Sequence, residues 1–427
     1  MNDDSSEEGK LSRLSVHPDL CQPEQRLIMC MLAFPHGQPL WGDPARLAST
    51  VSWDRFLTRA DESIQPYLHW VCQHPPYLSS IPTSVLNHLG AVRRATRVRN
   101  LRWASELRAI LEVFAHSGVP ILLAKGSVLQ RSIYPDPSTR PMSDIDLYVK
   151  GEDMDRVYDN LGKLGFVPKA SRDAQTPLVG DTINEQGLFL KQGATFSLLL
   201  EVHTQLEMNF DRQTPPWWRI ESMVGTDGIS LPCLDVHTAL RHICFHLARH
   251  GFEHGLMWLL DIRLFVDRHE KSIDWDSFMH DCEPAARPLL ACTLAMASQW
   301  LGARIPVSVL SAIPADIQRA AVPLIWAQVW DAAHVSRAIP IVTIMRSGDV
   351  RRIWRHLVDR IRSWTAPLPG STLPRFVLLF KRLGTAAIIF RDHWRHGSFR
   401  RASMQAAHQS DQRTERLHAL LWKVKDG

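Results

Sequence analysis

The sequence predicts an α+β fold: a mixed sheet carrying helices, set between an N-terminal and a C-terminal helical region. Three observations predict it. Apolar residues recur at three and four positions from Pro23 to Gly118; between Val119 and about Leu206 the pattern changes to alternation or short unbroken apolar runs; and the helical period resumes from Asp235.

The opening residues, 1–14, are polar and acidic and are expected to be disordered. A helical region over 15–117 follows. "PEQRLIMCMLAF" and "WDRFLTRADESIQPYLHWVCQH" have amphipathic spacing, and "TSVLNHLGAVRRATRVRNLRWASELRAILEVFAHSG" reads as one long helix. Gly118 suits its left-handed cap, and Pro120 prevents continuation. The α/β core is expected over 118–232. "VPILLAKG" and "ATFSLLLEVHTQL" are apolar strand runs and "DIDLYV" alternates, while "GEDMDRVYDNLGKLGF" has acids in its first turn and Gly165 as a stop. A helical domain over 233–340 contains "DVHTALRHICFHLARHGFEHGLMWLLDIRLFVDRHE", and 341–427 is a basic helical tail.

Composition narrows the function classes. With 427 residues, 45% of them hydrophobic, the chain can bury a sizeable core, and its net charge of +5 is compatible with nucleotides, nucleic acid or acidic membranes without choosing among them. Seven scattered cysteines without a CxxC pair indicate neither a disulfide framework nor a zinc ribbon. The acidic N-terminus is unlike a signal peptide, and no apolar run reaches the length of a membrane span. A cytoplasmic protein is expected.

The chemistry concentrates in "KGSVLQRSIYPDPSTRPMSDIDLYV", Lys125 to Val149. In a strand, Asp144 and Asp146 project to one face and Ile145, Leu147 and Val149 to the other. Two carboxylates this close repel unless a cation lies between them. Mg²⁺ is the natural candidate, since it takes oxygen ligands and completes its shell with water and substrate phosphates. Gly126 permits close backbone approach, Ser127 offers a hydroxyl and an amide, and Lys125 and Arg140 stand at the two ends of the loop, suited to phosphate oxygens. Each feature alone has a plain structural alternative, a solvated strand edge or an ordinary strand-to-helix turn. Their combination is what points to phosphate chemistry.

The apolar strand, Gly126-Ser127, the connecting segment and Asp144-Ile145-Asp146-Leu147 together resemble the signature of the nucleotidyltransferase superfamily that contains DNA polymerase beta. More narrowly, this stretch followed by "EVHTQL" and the His-rich helix resembles the uncharacterised nucleotidyltransferases, over about Trp53 to Trp275. The segment between Ser127 and Asp144 is longer than the superfamily's usual spacing. The resemblance implies that Asp144 and Asp146 bind two Mg²⁺ ions and that a third acid, by position Glu201, completes the catalytic and metal set. It implies transfer of a nucleotidyl group from a nucleoside triphosphate to a hydroxyl of an unknown acceptor, a small molecule, sugar, peptide or protein. Lys125, Gly126, Ser127, Arg140 and His203 are then placed at the nucleotide. The alternative is a catalytically inactive protein that keeps the fold for binding or regulation. For Glu201 itself two readings stand: a costly buried charge that needs a metal, or a strand-end residue in water with His203 as its hydrogen-bonding neighbour.

Other signals carry less. His242, His246, His250 and His254 recur every fourth residue, but without HExxH they suggest a cap over the cleft or phosphate contacts, with Asp261 orienting one of them, rather than zinc. The arginine-rich stretch from Arg346 to Arg401 reads as a solvated helix, with weak peripheral membrane contact as the other reading. The tryptophans read as core, and no sequence-reading nucleic-acid motif is present.

Overall fold

A computed structural model describes residues 21–36, 39–168, 185–193, 197–206, 220–225, 228–252, 255–284, 286–313, 315–331, 412–413, 416–417 and 420. The expected disordered N-terminus and the stretch from Arg346 to Arg401 lie outside the described residues. The chain forms two units, Met1–Trp326 with Leu417–Gly427, and Ala327–Arg416, and the sheet lies wholly in the first.

The architecture is α+β. Helices α1 (Pro23–Leu32), α2 (Pro44–Ala48), α3 (Trp53–Arg59), α4 (Gln65–Val71) and the long α5 (Thr83–Ser117) precede strand β1 (Ile121–Leu123). Gly118 ends α5 at φ 65°, the left-handed conformation that glycine adopts without a Cβ clash. Then come α6 (Gly126–Ser132), β2 (Asp144–Val149), α7 (Met154–Lys163), β3 (Val167–Pro168), β4 (Glu185–Lys191), β5 (Leu198–His203), β6 (Glu221–Val224) and β7 (Ser230–Cys233). The C-terminal helices are α8 (Val236–Arg249), α9 (Gly255–His269), α10 (Trp275–His280), α11 (Arg287–Leu301), α12 (Val307–Leu310) and α13 (Ala315–Asp331).

The sheet order is β3-β4-β5-β2-β1-β7-β6. It is mixed: β2 runs parallel to β5 and β1 parallel to β7, while the pairs β1–β2, β4–β5, β3–β4 and β6–β7 are antiparallel. Alternation gives the central strands two different faces. On one, Ile145, Leu147 and Val149 of β2 with Leu198, Leu200 and Val202 of β5 join Trp103, Leu107, Ile110 and Phe114 of α5 and Val157 and Leu161 of α7 in a single core. On the other stand Asp146, Tyr148, Glu201 and His203. The apolar face thus anchors the two strands from below while the polar face is held toward α8, whose His242 reaches Tyr148 Oη at 3.1 Å.

The histidine-rich segment is not one helix. Gly251 and Phe252 take positive φ, 59° and 64°, and divide α8 from α9. The N-terminal region is tied to the C-terminal helices: Trp41 Nε1 donates to Trp300 O at 2.7 Å in a buried bond, and Arg263 Nη1 to Phe34 O at 2.8 Å in a partly buried one. Among the described residues no helix is long and apolar enough to cross a membrane.

Candidate active site

The site is created by register. β2 and β5 pair in parallel with Asp144 opposite Leu199, Asp146 opposite Glu201 and Tyr148 opposite His203. Residues opposite each other point to the same side, so Asp146 and Glu201 stand shoulder to shoulder, with Asp144 one step back along the same face. Ligand atoms of Asp146, Glu201 and His203 all lie within 4.8 Å of one another. Asp144 lies at the open end of the row, where Ser143 Oγ donates to its Oδ1 at 3.0 Å.

Asp146 is the best supported of the carboxylates. Lys125 Nζ is 3.0 Å from its Oδ1, and His203 Nε2 donates to the same oxygen at 3.2 Å. A carboxylate only accepts, so the His203 proton sits on Nε2; its Nδ1 is buried with no hydrogen-bond partner among the described residues. Stacking on Tyr148, with ring centroids 4.8 Å apart, fixes the imidazole plane. Burial works to raise the Asp146 carboxyl, yet Lys125 and then His203 outweigh it and hold it below the ordinary carboxylate range. Asp144 moves the other way: burial first, and then the Asp146 charge, push it above its ordinary value. Two neighbouring carboxylates driven apart in this way form a site that a cation would relieve.

Several expectations are refined by the contacts. Lys125, expected at phosphate, is ion-paired to Asp146; its own backbone is held at φ 49°, a conformation uncommon outside glycine. Ser127 does not present its hydroxyl, which is buried and donates to Ala124 O at 2.8 Å, closing the turn into α6. Arg140 is mostly engaged elsewhere. Its Nε and Nη2 each donate to an Asp261 oxygen at 2.8 Å, a two-pronged buried pair between the loop and α9. Asp261 therefore orients Arg140, not a histidine as expected, and its Oδ1 also accepts from Tyr134 Oη at 2.7 Å. The remaining nitrogen, Nη1, leans over Gly126. A Cβ there would lie 2.7 Å from it, so the glycine is required by the guanidinium above it.

The histidine row is split. His242 meets Tyr148; His246 and His250 pack edge-on against each other and both lie against Trp258; His254 lies outside the described residues. Sequence reasoning missed the Asp261–Tyr134 support of Arg140 and the part of Asn100, whose Nδ2 donates to Pro137 O at 2.7 Å and Arg140 O at 2.8 Å. A polar residue among the core positions of α5 was the available signal for Asn100.

Two carboxylates and an imidazole converging within 4.8 Å, with Asp144 on the same strand face, suit a divalent cation, so the donor set fits a metal. The chain matches the profile of a family described as uncharacterised nucleotidyltransferase over residues 49–302, more than half its length and including every residue of this site. No curated protein and no solved structure matches it. A match of that extent places the chain in the uncharacterised nucleotidyltransferase family.

Proposed function

We propose that the chain is a Mg²⁺-dependent nucleotidyltransferase that moves a nucleotidyl group from a nucleoside triphosphate to a hydroxyl of an acceptor. The observation that carries this reading is the β2–β5 register, which stands Asp146 beside Glu201 with Asp144 on the same face. Asp144, Asp146 and Glu201 would hold the metal. Bound there, Mg²⁺ would neutralise phosphate oxygens and lower the pKa of the attacking hydroxyl.

The chain's own groups have separable tasks. Glu201 is the more open carboxylate, its side chain 21% exposed against 7% for Asp146, and so is the one that takes the acceptor's proton. The hydroxyl oxygen bonds to the α-phosphorus, the bond from that phosphorus to the oxygen bridging to the β-phosphate breaks, and pyrophosphate leaves with the electron pair. Lys125, beside Asp146, and Arg140 Nη1, over Gly126, supply positive charge to the triphosphate. Asp261 and Tyr134 keep Arg140 from swinging away, and His203 keeps the Asp146 carboxylate in one orientation. The seven buried cysteines form no disulfide with one another, which fits a reducing compartment, and we assign the cytoplasm.

Thermal unfolding of the full chain with each of the four common nucleoside triphosphates, with and without Mg²⁺, tests the reading. At least one triphosphate should stabilise the protein only when Mg²⁺ is present, by about 2.7 kcal/mol at a hundredfold excess over Kd, and the effect should vanish in Asp144→Ala. No stabilisation by any triphosphate, or equal stabilisation of the variant, would reject it.

A further inference from the structure

Helix α5 has a charge pattern that packing does not explain. From Thr83 to Ser105 it contains no Asp or Glu but carries Arg93, Arg94, Arg97, Arg99 and Arg102. Arg93 and Arg97 are four residues apart, and Arg94 and Arg97 three apart, spacings at which like charges repel along a helix. Arg93 is answered by Ser138, at 2.9 Å, and Asp136, at 3.7 Å. Arg94 and Arg97 are exposed, as is Arg108 farther along.

Counted from Arg94, Arg97, Val98, Leu101 and Arg108 lie three, four, seven and fourteen residues on, so they share one face. Val98 is 66% exposed and Leu101 63%, among the most exposed large apolar side chains of the described residues. The opposite face, with Trp103, Leu107, Ile110 and Phe114, is committed to the core. From Arg94 to Arg108 the surface runs about 21 Å along the helix.

Its position gives it meaning. Asn100 accepts from Met142 N at 3.3 Å and donates to Pro137 O and Arg140 O, so α5 supports the loop that delivers Asp144. We propose that this face of α5 docks a single-stranded nucleic acid through its phosphates. The docking does not depend on the transfer reading. Arginine forks match phosphodiester oxygens, and Val98 and Leu101 lie where unstacked bases would meet apolar surface. A membrane fits less well, because two aliphatic side chains between arginines are far short of the broad apolar face an interfacial helix buries.

The test is fluorescence anisotropy of labelled RNA and DNA strands of about 20 nucleotides, a length that outruns the face, with the full chain and with the Arg94→Gln/Arg97→Gln/Arg108→Gln variant. These positions are exposed and outside the acidic row, so circular dichroism and Mg²⁺-dependent triphosphate stabilisation should be unchanged. Wild type should bind at least one strand; the variant should bind it at least tenfold more weakly, with a salt slope shallower by about two, from about 0.7 per lost phosphate contact. Equal binding by wild type and variant, no binding by wild type, or a defect seen with phosphatidylserine vesicles and not with nucleic acid would each overturn the proposal. Strand binding through α5 by a protein that no triphosphate stabilises would instead uphold the docking face and reject the transfer reading.

Discussion

Replacing Asp261 by alanine strands a guanidinium in the interior. Both Asp261 oxygens accept from Arg140, and one accepts from Tyr134 as well; Arg140 is 5% exposed, Asp261 2% and Tyr134 3%. Breaking a buried pair by removing one partner costs about 3–5 kcal/mol, because the other charge stays buried without compensation. The orphaned Tyr134 hydroxyl places Asp261→Ala in the upper half of that range. Replacing both charges, in Asp261→Leu/Arg140→Met, should cost less than Asp261→Ala alone, since a same-sized apolar pair leaves no charge unpaired and only the Tyr134 hydroxyl without its acceptor. Urea unfolding followed by tryptophan fluorescence and by circular dichroism gives the free energies, provided the slopes agree between variants. A loss below about 1 kcal/mol for Asp261→Ala, or a double variant that is the sum of its parts, would refute the claim that this pair fixes the loop bearing Asp144.

Three further outcomes follow from the same contacts. Gly126→Ala should cost about 1–3 kcal/mol in urea unfolding, because its Cβ must displace Arg140 Nη1 from 2.7 Å, and should cost less in the Asp261→Ala background, where the guanidinium is free to yield. Leu147→Ala, on the fully buried face of β2, should cost about 2–5 kcal/mol in the same assay and carry the acidic row with it. Asp146 titrates below its unfolded value near 3.9, so its contribution is fully present above about pH 4 and is lost as pH falls through the folded value. Asp146→Asn should therefore show a shallower loss of stability than wild type on acidification below about pH 4; parallel curves would deny the contribution of Lys125 and His203.

Much of the site was legible because it is local. The period of two in "DIDLYV" put both aspartates on one face, and the charged residue after "SLLL" marked Glu201 as an expensive strand residue; the register then set it opposite Asp146. The long helix and its Gly118 stop were equally local. What escaped depends on distant partners. Arg140 and Asp261 are 121 residues apart, and nothing in either neighbourhood announces the other. The strands β6 and β7 are short, and β7 joins the sheet by a parallel pairing of Leu123 with Cys233 across more than a hundred residues. In "HLARHGFEHG" the four-residue histidine spacing imitated a continuous face, whereas the positive φ of Gly251 and Phe252 breaks the helix there. Ser127 was misjudged for a different reason: a serine at a strand-to-helix turn can cap the backbone or face a ligand, and only the fold shows that it bonds Ala124 O.

The most direct test of the central claim is whether a metal ion and a triphosphate meet at the acidic row. Mn²⁺, an octahedral oxygen-seeking stand-in for Mg²⁺, broadens the ³¹P resonances of a nucleotide held beside it. With wild-type protein and the triphosphate that stabilises it best, substoichiometric Mn²⁺ should broaden the bound phosphates beyond the effect of Mn²⁺–nucleotide alone, and Asp146→Asn should abolish the excess. Excess broadening that persists in Asp146→Asn, Asp144→Ala and Glu201→Gln alike would place the metal and the nucleotide somewhere other than the row formed by β2 and β5.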